Sequence, residues 1–238
     1  MTPSKKVKEP FRFCTRLNLL ELTGKKAKDV EELLAITREV SGAVIYHHTH
    51  HFLQQQQYIS PEPPNDFAYW VTNILRESAL GEKLASINMC EFTSVSAIRD
   101  RIVSILEKDL VGKPRPLRSA PEGEEFTFKR SITFILPTPY FAHDLKQFIE
   151  ILKKISVNSI YFHVFEARLR SENGRGDFSN WIENSMGDKA LADKLSGIDP
   201  YTYTLEGLRE KIIRIIETDV AHAAVKEIKK GLGKINKE

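Results

Sequence analysis

Cysteine is almost missing from this chain: Cys14 and Cys90 are the only two in 238 residues. That excludes a disulfide framework and makes a reducing, cytoplasmic setting the default expectation. Long apolar runs are missing as well. No stretch approaches the roughly 18 residues of a membrane span. The polar start, Met1 to Pro10, has no apolar centre of the kind a secretory signal needs. Charge of one sign is also lacking, since 35 basic residues stand against 32 acidic ones for a net charge of +3. The balance is too even to argue for nucleic acid or a membrane surface. The basic excess gathers at the ends, at Lys5, Lys6 and Lys8 and at Lys226, Lys229, Lys230, Lys234 and Lys237. Aromatics are not interleaved with these lysines, so they read as solvated termini. No nucleophile elbow or catalytic triad is visible, and Gly174-Arg175-Gly176 lacks the strand–turn–helix setting of a phosphate loop.

What is present is ordinary for a globular protein, with 41 % hydrophobic and 28 % charged residues. The informative feature is an echo. At an offset of 115 (126 − 11), Phe11, Phe13, Thr23, Ala27 and Asp29 fall on Phe126, Phe128, Thr138, Ala142 and Asp144. Ser41, Ile45, Tyr46 and His48 fall on Ser156, Ile160, Tyr161 and His163. At an offset of 111 (177 − 66), Asp66, Phe67 and Trp70 fall on Asp177, Phe178 and Trp181. At 110 (209 − 99), Arg99, Ile102 and Ile105 meet Arg209, Ile212 and Ile215. Such a series predicts a tandem duplication of a module of about a hundred residues. The expected division is a disordered tail over 1–10, a first module over 11–110, a linker over 111–125, a second module over 126–230 and a tail over 231–238.

Period-two alternation at Phe126, Phe128, Ile132, Phe134 and Leu136 predicts a strand. Phe11, Phe13, Leu17 and Leu19 do the same in the first copy, and the two strands can pair antiparallel. Helical spacing follows Asp29 and Asp144, both good N-caps. Further helices are expected over 42–57, from Asn65, near 79–87 and over about 94–110, each with a counterpart in the second copy. The fold class is therefore mainly α: a strand-plus-helices module in two copies packed about a pseudo-two-fold axis, with a small two-stranded sheet.

Four of the seven histidines lie within five residues: His47, His48, His50 and His51. On a helix His47 and His51 are at i, i+4, the spacing of paired imidazole ligands of zinc, and Glu62 can add a carboxylate. There is no second Cys/His group, and local packing and hydrogen bonding is the commoner role for such histidines. The second copy keeps His163 opposite His48 but has Phe162, Phe165 and Glu166 opposite the other three. His48 and His163 thus read as shared scaffold, bonded to Asp66 and Asp177 or to a backbone carbonyl. His47, His50 and His51 are the candidates for added function. Asp66 and Asp177 read as helix caps, and Tyr46, Tyr161, Trp70 and Trp181 as core.

The line Tyr46-His47-His48-Thr49-His50-His51-Phe52-Leu53, followed by Tyr58-Ile59-Ser60-Pro61-Glu62-Pro63-Pro64-Asn65-Asp66-Phe67-Ala68-Tyr69-Trp70, resembles a prokaryotic family, domain-of-unknown-function family 5752. The resemblance extends to Glu21-Leu22-Thr23-Gly24 and to Leu80-Gly81-Glu82-Lys83-Leu84. It implies no activity. Gln57 stands where that pattern has His, which argues against a metal role there. The second copy is also similar to small helical modules appended to larger proteins, which implies an accessory role. Two readings follow: a non-catalytic binding protein for a partner protein or small ligand, or a divalent-metal protein or metal-dependent enzyme built on the histidines of the first copy.

Overall fold

Alternating aromatics open two long strands. In the computed structural model, which describes residues 7–50, 64–111, 118–171 and 174–235, β1 (Phe11–Ala27) and β2 (Phe126–Ala142) are each 17 residues long. They pair as a two-stranded antiparallel sheet, and about 60 % of the described residues are helical. After β1 come α1 (Val30–Glu39), α2 (Gly42–His50), α3 (Asp66–Asn73), α4 (Ser78–Ala85) and α5 (Val95–Val111). After β2 come α6 (Leu145–Leu152), α7 (Val157–Tyr161), a π-helical turn over Phe162–Glu166 and α8 (Ala167–Arg170). The chain ends in α9 (Asp177–Met186), α10 (Lys189–Ser196) and α11 (Leu205–Ile235).

The caps follow from short acidic side chains. Asp29 accepts from Glu32 N–H and Asp144 from Gln147 N–H, while Glu32 and Gln147 reach back to the N–H groups of Lys28 and His143. Both orphan-donor problems are thereby solved reciprocally at each helix start. Asp66 and Asp177, expected as caps, are not caps. Asn65 takes that place before α3, accepting from Ala68 N–H, and Gly176 takes it before α9. The two aspartates sit one residue inside their helices, so their carboxylates remain available for other partners.

The chain forms two compact units, and they do not follow sequence order. The N-unit is Leu17–Phe134 with Gly174. The C-unit takes the residues up to Arg16, Ile135–Ser171 and the chain from Arg175 on. The N-unit therefore has α1–α5 together with the opening of β2. There Phe126 stacks on Phe67 at 5.1 Å and meets Trp70 edge-on at 5.7 Å. The C-unit has α6–α11 together with the opening of β1. There Phe11 contacts Phe178 and Trp181 at 5.4 and 5.5 Å, and Phe13 contacts Phe148 at 5.2 Å. In both, a strand from one half of the sequence completes the helical core of the other half.

The tryptophans anchor the approach to each strand. Trp70 Nε1–H donates to the Glu124 carbonyl at 2.7 Å, and Trp181 Nε1–H to the Glu9 carbonyl at 2.9 Å. Lys8 and Glu9, placed by sequence in a tail, are thus held in the C-unit, where Lys8 N–H also donates to the Ser185 carbonyl. The expected linker is likewise tied down at Ala120, whose N–H donates to the Lys28 carbonyl. Residues 112–117 lie outside the described residues. α11 runs to Ile235, past the expected end at 230.

Alternation marked the strands but not their burial. Phe126 and Phe128 are buried, whereas Ile132, Phe134 and Leu136 are 36, 48 and 46 % exposed. Period two sorts side chains by face; it does not say whether anything covers that face.

One local feature is strained. Arg76, after α3, has φ 58°, a left-handed conformation that costs an L residue about 1–2 kcal/mol. The equivalent position after α9 is Gly187, at φ 67°. Arg76→Gly is expected to raise stability by about 0.5–1 kcal/mol, read as a higher denaturation midpoint. Phe13→Ala and Phe128→Ala are each expected to cost about 3–5 kcal/mol, with Val111→Ala as the exposed control. Near-neutral Phe variants in urea titrations would contradict the completed-core description.

Candidate functional site

Two imidazoles do the same job in the two units. In the N-unit, His48 on α2 has Nδ1 2.7 Å from Asp66 Oδ2, and the Lys129 N–H of β2 donates to its Nε2 at 2.9 Å. In the C-unit, His163 has Nδ1 2.8 Å from Asp177 Oδ2, and the Cys14 N–H of β1 donates to its Nε2 at 2.9 Å. A backbone amide can only donate, so each Nε2 must be bare and each Nδ1 must carry the proton it donates to the carboxylate. Both nitrogens of each ring are then committed. The rings are 3 % exposed and lie among aromatics: Phe126 and Phe128 around His48, Phe11 and Phe178 around His163. The aspartate is as sequence reasoning had it; the other partner is an amide N–H and not a carbonyl. Arg170 also reaches Asp177 Oδ2 at 3.3 Å.

His47 is 5 % exposed, with Nδ1 3.1 Å from the Ser131 hydroxyl. Asn18 Nδ2–H donates to that hydroxyl at 3.4 Å and its Oδ1 accepts from Thr133 Oγ1 at 3.3 Å. His50 is fully buried, 2.7 Å from Thr49 Oγ1, and stacks on Tyr46 at 4.8 Å. Tyr161, also fully buried, stacks on Phe165 at 5.0 Å. Trp70 and Trp181 are 5 and 7 % exposed. His51 and Glu62 lie outside the described residues.

Ligand atoms of His47, His48 and Asp66 come within 4.8 Å of one another. This group is not a ready metal site. A cation on either His48 nitrogen would displace the Asp66 bond or strip the Lys129 N–H of its acceptor. Without His48 the group offers one imidazole and one carboxylate, short of the three protein ligands of a catalytic zinc.

Sequence reasoning missed Arg16. It is 3 % exposed, forms an ion pair with Glu166 and lies over the Tyr161 ring at 4.0 Å. A signal was there: at the offset of 115 (131 − 16), Arg16 and Glu166 fall on Ser131 and His51, so both members of the pair change together. Burial pushes the Cys14 thiol up, against the opposing charge of Arg12.

Residues 8–217 match the model of a family of unknown function (DUF5752). The chain belongs to this family. It is also similar to a solved structure, that of OrfY from Thermoproteus tenax. The identity is 30 % and the TM-score 0.77, over 90 % of this chain and 96 % of that one. No curated protein matches. Among the described residues, no helix of this DUF5752 member is long and apolar enough to cross a membrane.

His48→Ala is expected to orphan the Lys129 N–H and cost about 1–3 kcal/mol from that alone. Hydrogen exchange at the Lys129 amide should accelerate while that at Cys14 does not; His163→Ala should do the reverse. Equal effects on both amides would mean that the clamps do not act locally. Imidazole ¹⁵N shifts should report the Nδ1–H tautomer for both rings.

Proposed function

We propose that this protein acts by binding a partner protein or small ligand, without catalysing a reaction, and that its two halves are copies of one module. What supports the first part is how its most chemistry-like groups are used. The imidazole–carboxylate pairs His48–Asp66 and His163–Asp177 spend their remaining nitrogen on a strand amide. In a general base that nitrogen would face a substrate or nucleophile. Four leucines of β1, Leu17, Leu19, Leu20 and Leu22, are meanwhile exposed, and exposed apolar patches are where proteins meet partners.

The duplication reading, with modules at 11–110 and 126–230, is supported by corresponding residues in corresponding roles. Asp29 and Asp144 cap, Trp70 and Trp181 anchor, and His48 and His163 clamp. A cytoplasmic setting fits the low cysteine content.

The rival is a divalent-metal protein in which His47 acts with His51 and Glu62. Elemental analysis of the purified full chain separates the two. The expected result is no stoichiometric zinc, iron or manganese. Stoichiometric metal that is lost in His47→Ala would overturn the binding-only reading. A thermal-shift screen then seeks the ligand, since anything that binds the folded form raises Tm.

A further inference from the structure

A two-stranded sheet leaves an outer edge on each strand, and an open edge is a template for another strand. Here the two edges are finished differently. The N–H groups of Cys14 and Lys129 point outwards, to His163 and His48. Backbone groups alternate between inside and outside along an antiparallel strand. Even-numbered residues of β1 and odd-numbered residues of β2 therefore face the outer edges. Independent contacts fit this register: Thr23 Oγ1–H donates to the Phe128 carbonyl, Thr138 Oγ1–H to the Phe13 carbonyl, and Glu21 meets Arg130. Each step along β1 is matched by a step back along β2, so no bulge upsets the parity between Phe13 and Thr23.

On β2 the outer edge is occupied at Lys129 by His48 and blocked further on by Pro137 and Pro139. Both prolines are odd-numbered and have no N–H to give. On β1 it is occupied at Cys14 by His163, but Leu22 and Gly24 stand where β2 has those prolines, at the offset of 115 (137 − 22). Among the described residues, nothing blocks the edge from Asn18 to Leu22. Exposed leucines stand on both of its faces: Leu17 and Leu19 are 51 and 49 % exposed, Leu20 and Leu22 54 and 67 %.

We infer that this edge of β1 pairs antiparallel with the same edge of a second copy of the chain, about Leu20, to give a four-stranded sheet in a two-fold dimer. This rests on the reading of the protein as one that acts by binding, and it names the partner. Three features select a second copy. Pairing about Leu20 sets even-numbered residues opposite even-numbered ones, Asn18 against Leu22 and Leu20 against Leu20, so outward donors meet outward acceptors. The only charge between Leu17 and Gly24 is Glu21, already paired with Arg130 and placed opposite Leu19 of the other copy, so no like charges meet. Head-to-tail addition of β1 onto β2 of another copy is stopped by Pro137 and Pro139, so association closes at two and does not run on into a filament.

Sedimentation velocity on the full chain over a dilution series tests this, with Leu22→Pro and Leu20→Lys as variants. Leu22→Pro gives β1 the residue that β2 already carries and removes only an outward N–H; Leu20→Lys puts a charge on the edge. The wild type is expected to be a dimer that dissociates on dilution. Both variants are expected to be monomers with unchanged helix content by circular dichroism. Should a variant fail to fold, hydrogen exchange on the wild type replaces it: the Leu20 and Leu22 amides should be protected at high concentration and lose that protection on dilution. A wild type that is monomeric throughout, a dimer surviving both variants, or edge amides whose exchange ignores concentration would each overturn the inference. Those results leave the binding reading standing, whereas stoichiometric metal at His47 bears on that reading and not on the dimer.

Discussion

A strand amide that leaves its own sheet needs an acceptor, and two imidazoles supply it. Much of the architecture depends on that bond. The carboxylate of Asp66 keeps the proton on His48 Nδ1, which leaves Nε2 bare, and the bare nitrogen takes the Lys129 N–H. Lys129 directly follows Phe128, and Phe126 and Phe128 are the aromatics that complete the helical core of the N-unit. Asp177, His163, Cys14, Phe11 and Phe13 form the same chain of dependence in the C-unit. In a low-dielectric setting a lost acceptor costs more than the bond contributes, so the clamp also acts as a specificity device: it selects one register of the strand against its helices.

The aspartates can do this because they are not caps. With Asn65 and Gly176 ahead of them, Asp66 and Asp177 begin their helices with carboxylates that reach His48 and His163, in a first turn where the backbone dipoles favour negative charge. An arrangement that in isolation resembles part of a catalytic or metal-binding constellation here holds a strand amide. What distinguishes the roles is the atom at Nε2: a hydroxyl, thiol or cation in one case, a main-chain amide in the other.

The two units differ beside these clamps. The C-unit buries the Arg16–Glu166 ion pair against Tyr161, while the N-unit has Ser131 hydrogen-bonded to His47. A buried charge is tolerable only with a partner, which is why Arg16 and Glu166 must change as a pair.

Local chemistry was legible in the sequence. Alternation marked both strands, short acidic residues marked the starts of α1 and α6, and the echo singled out His48 with Asp66 and His163 with Asp177. Those features depend on neighbours along the chain or on the comparison of two similar segments. The acceptor role of the imidazoles was not legible, because its partners lie 81 and 149 residues away and a backbone amide has no sequence signature. The exchange of strands between the two halves of the sequence was hidden for a related reason: Phe11 and Phe126 are equally apolar, and composition cannot say which helical core each one fills. Sequence by itself determined the two strands, the caps of α1 and α6 and the pairs of residues to watch. Tertiary structure alone decided which strand serves which core and which strand amides the imidazoles take, since both depend on where backbone groups point once distant segments meet.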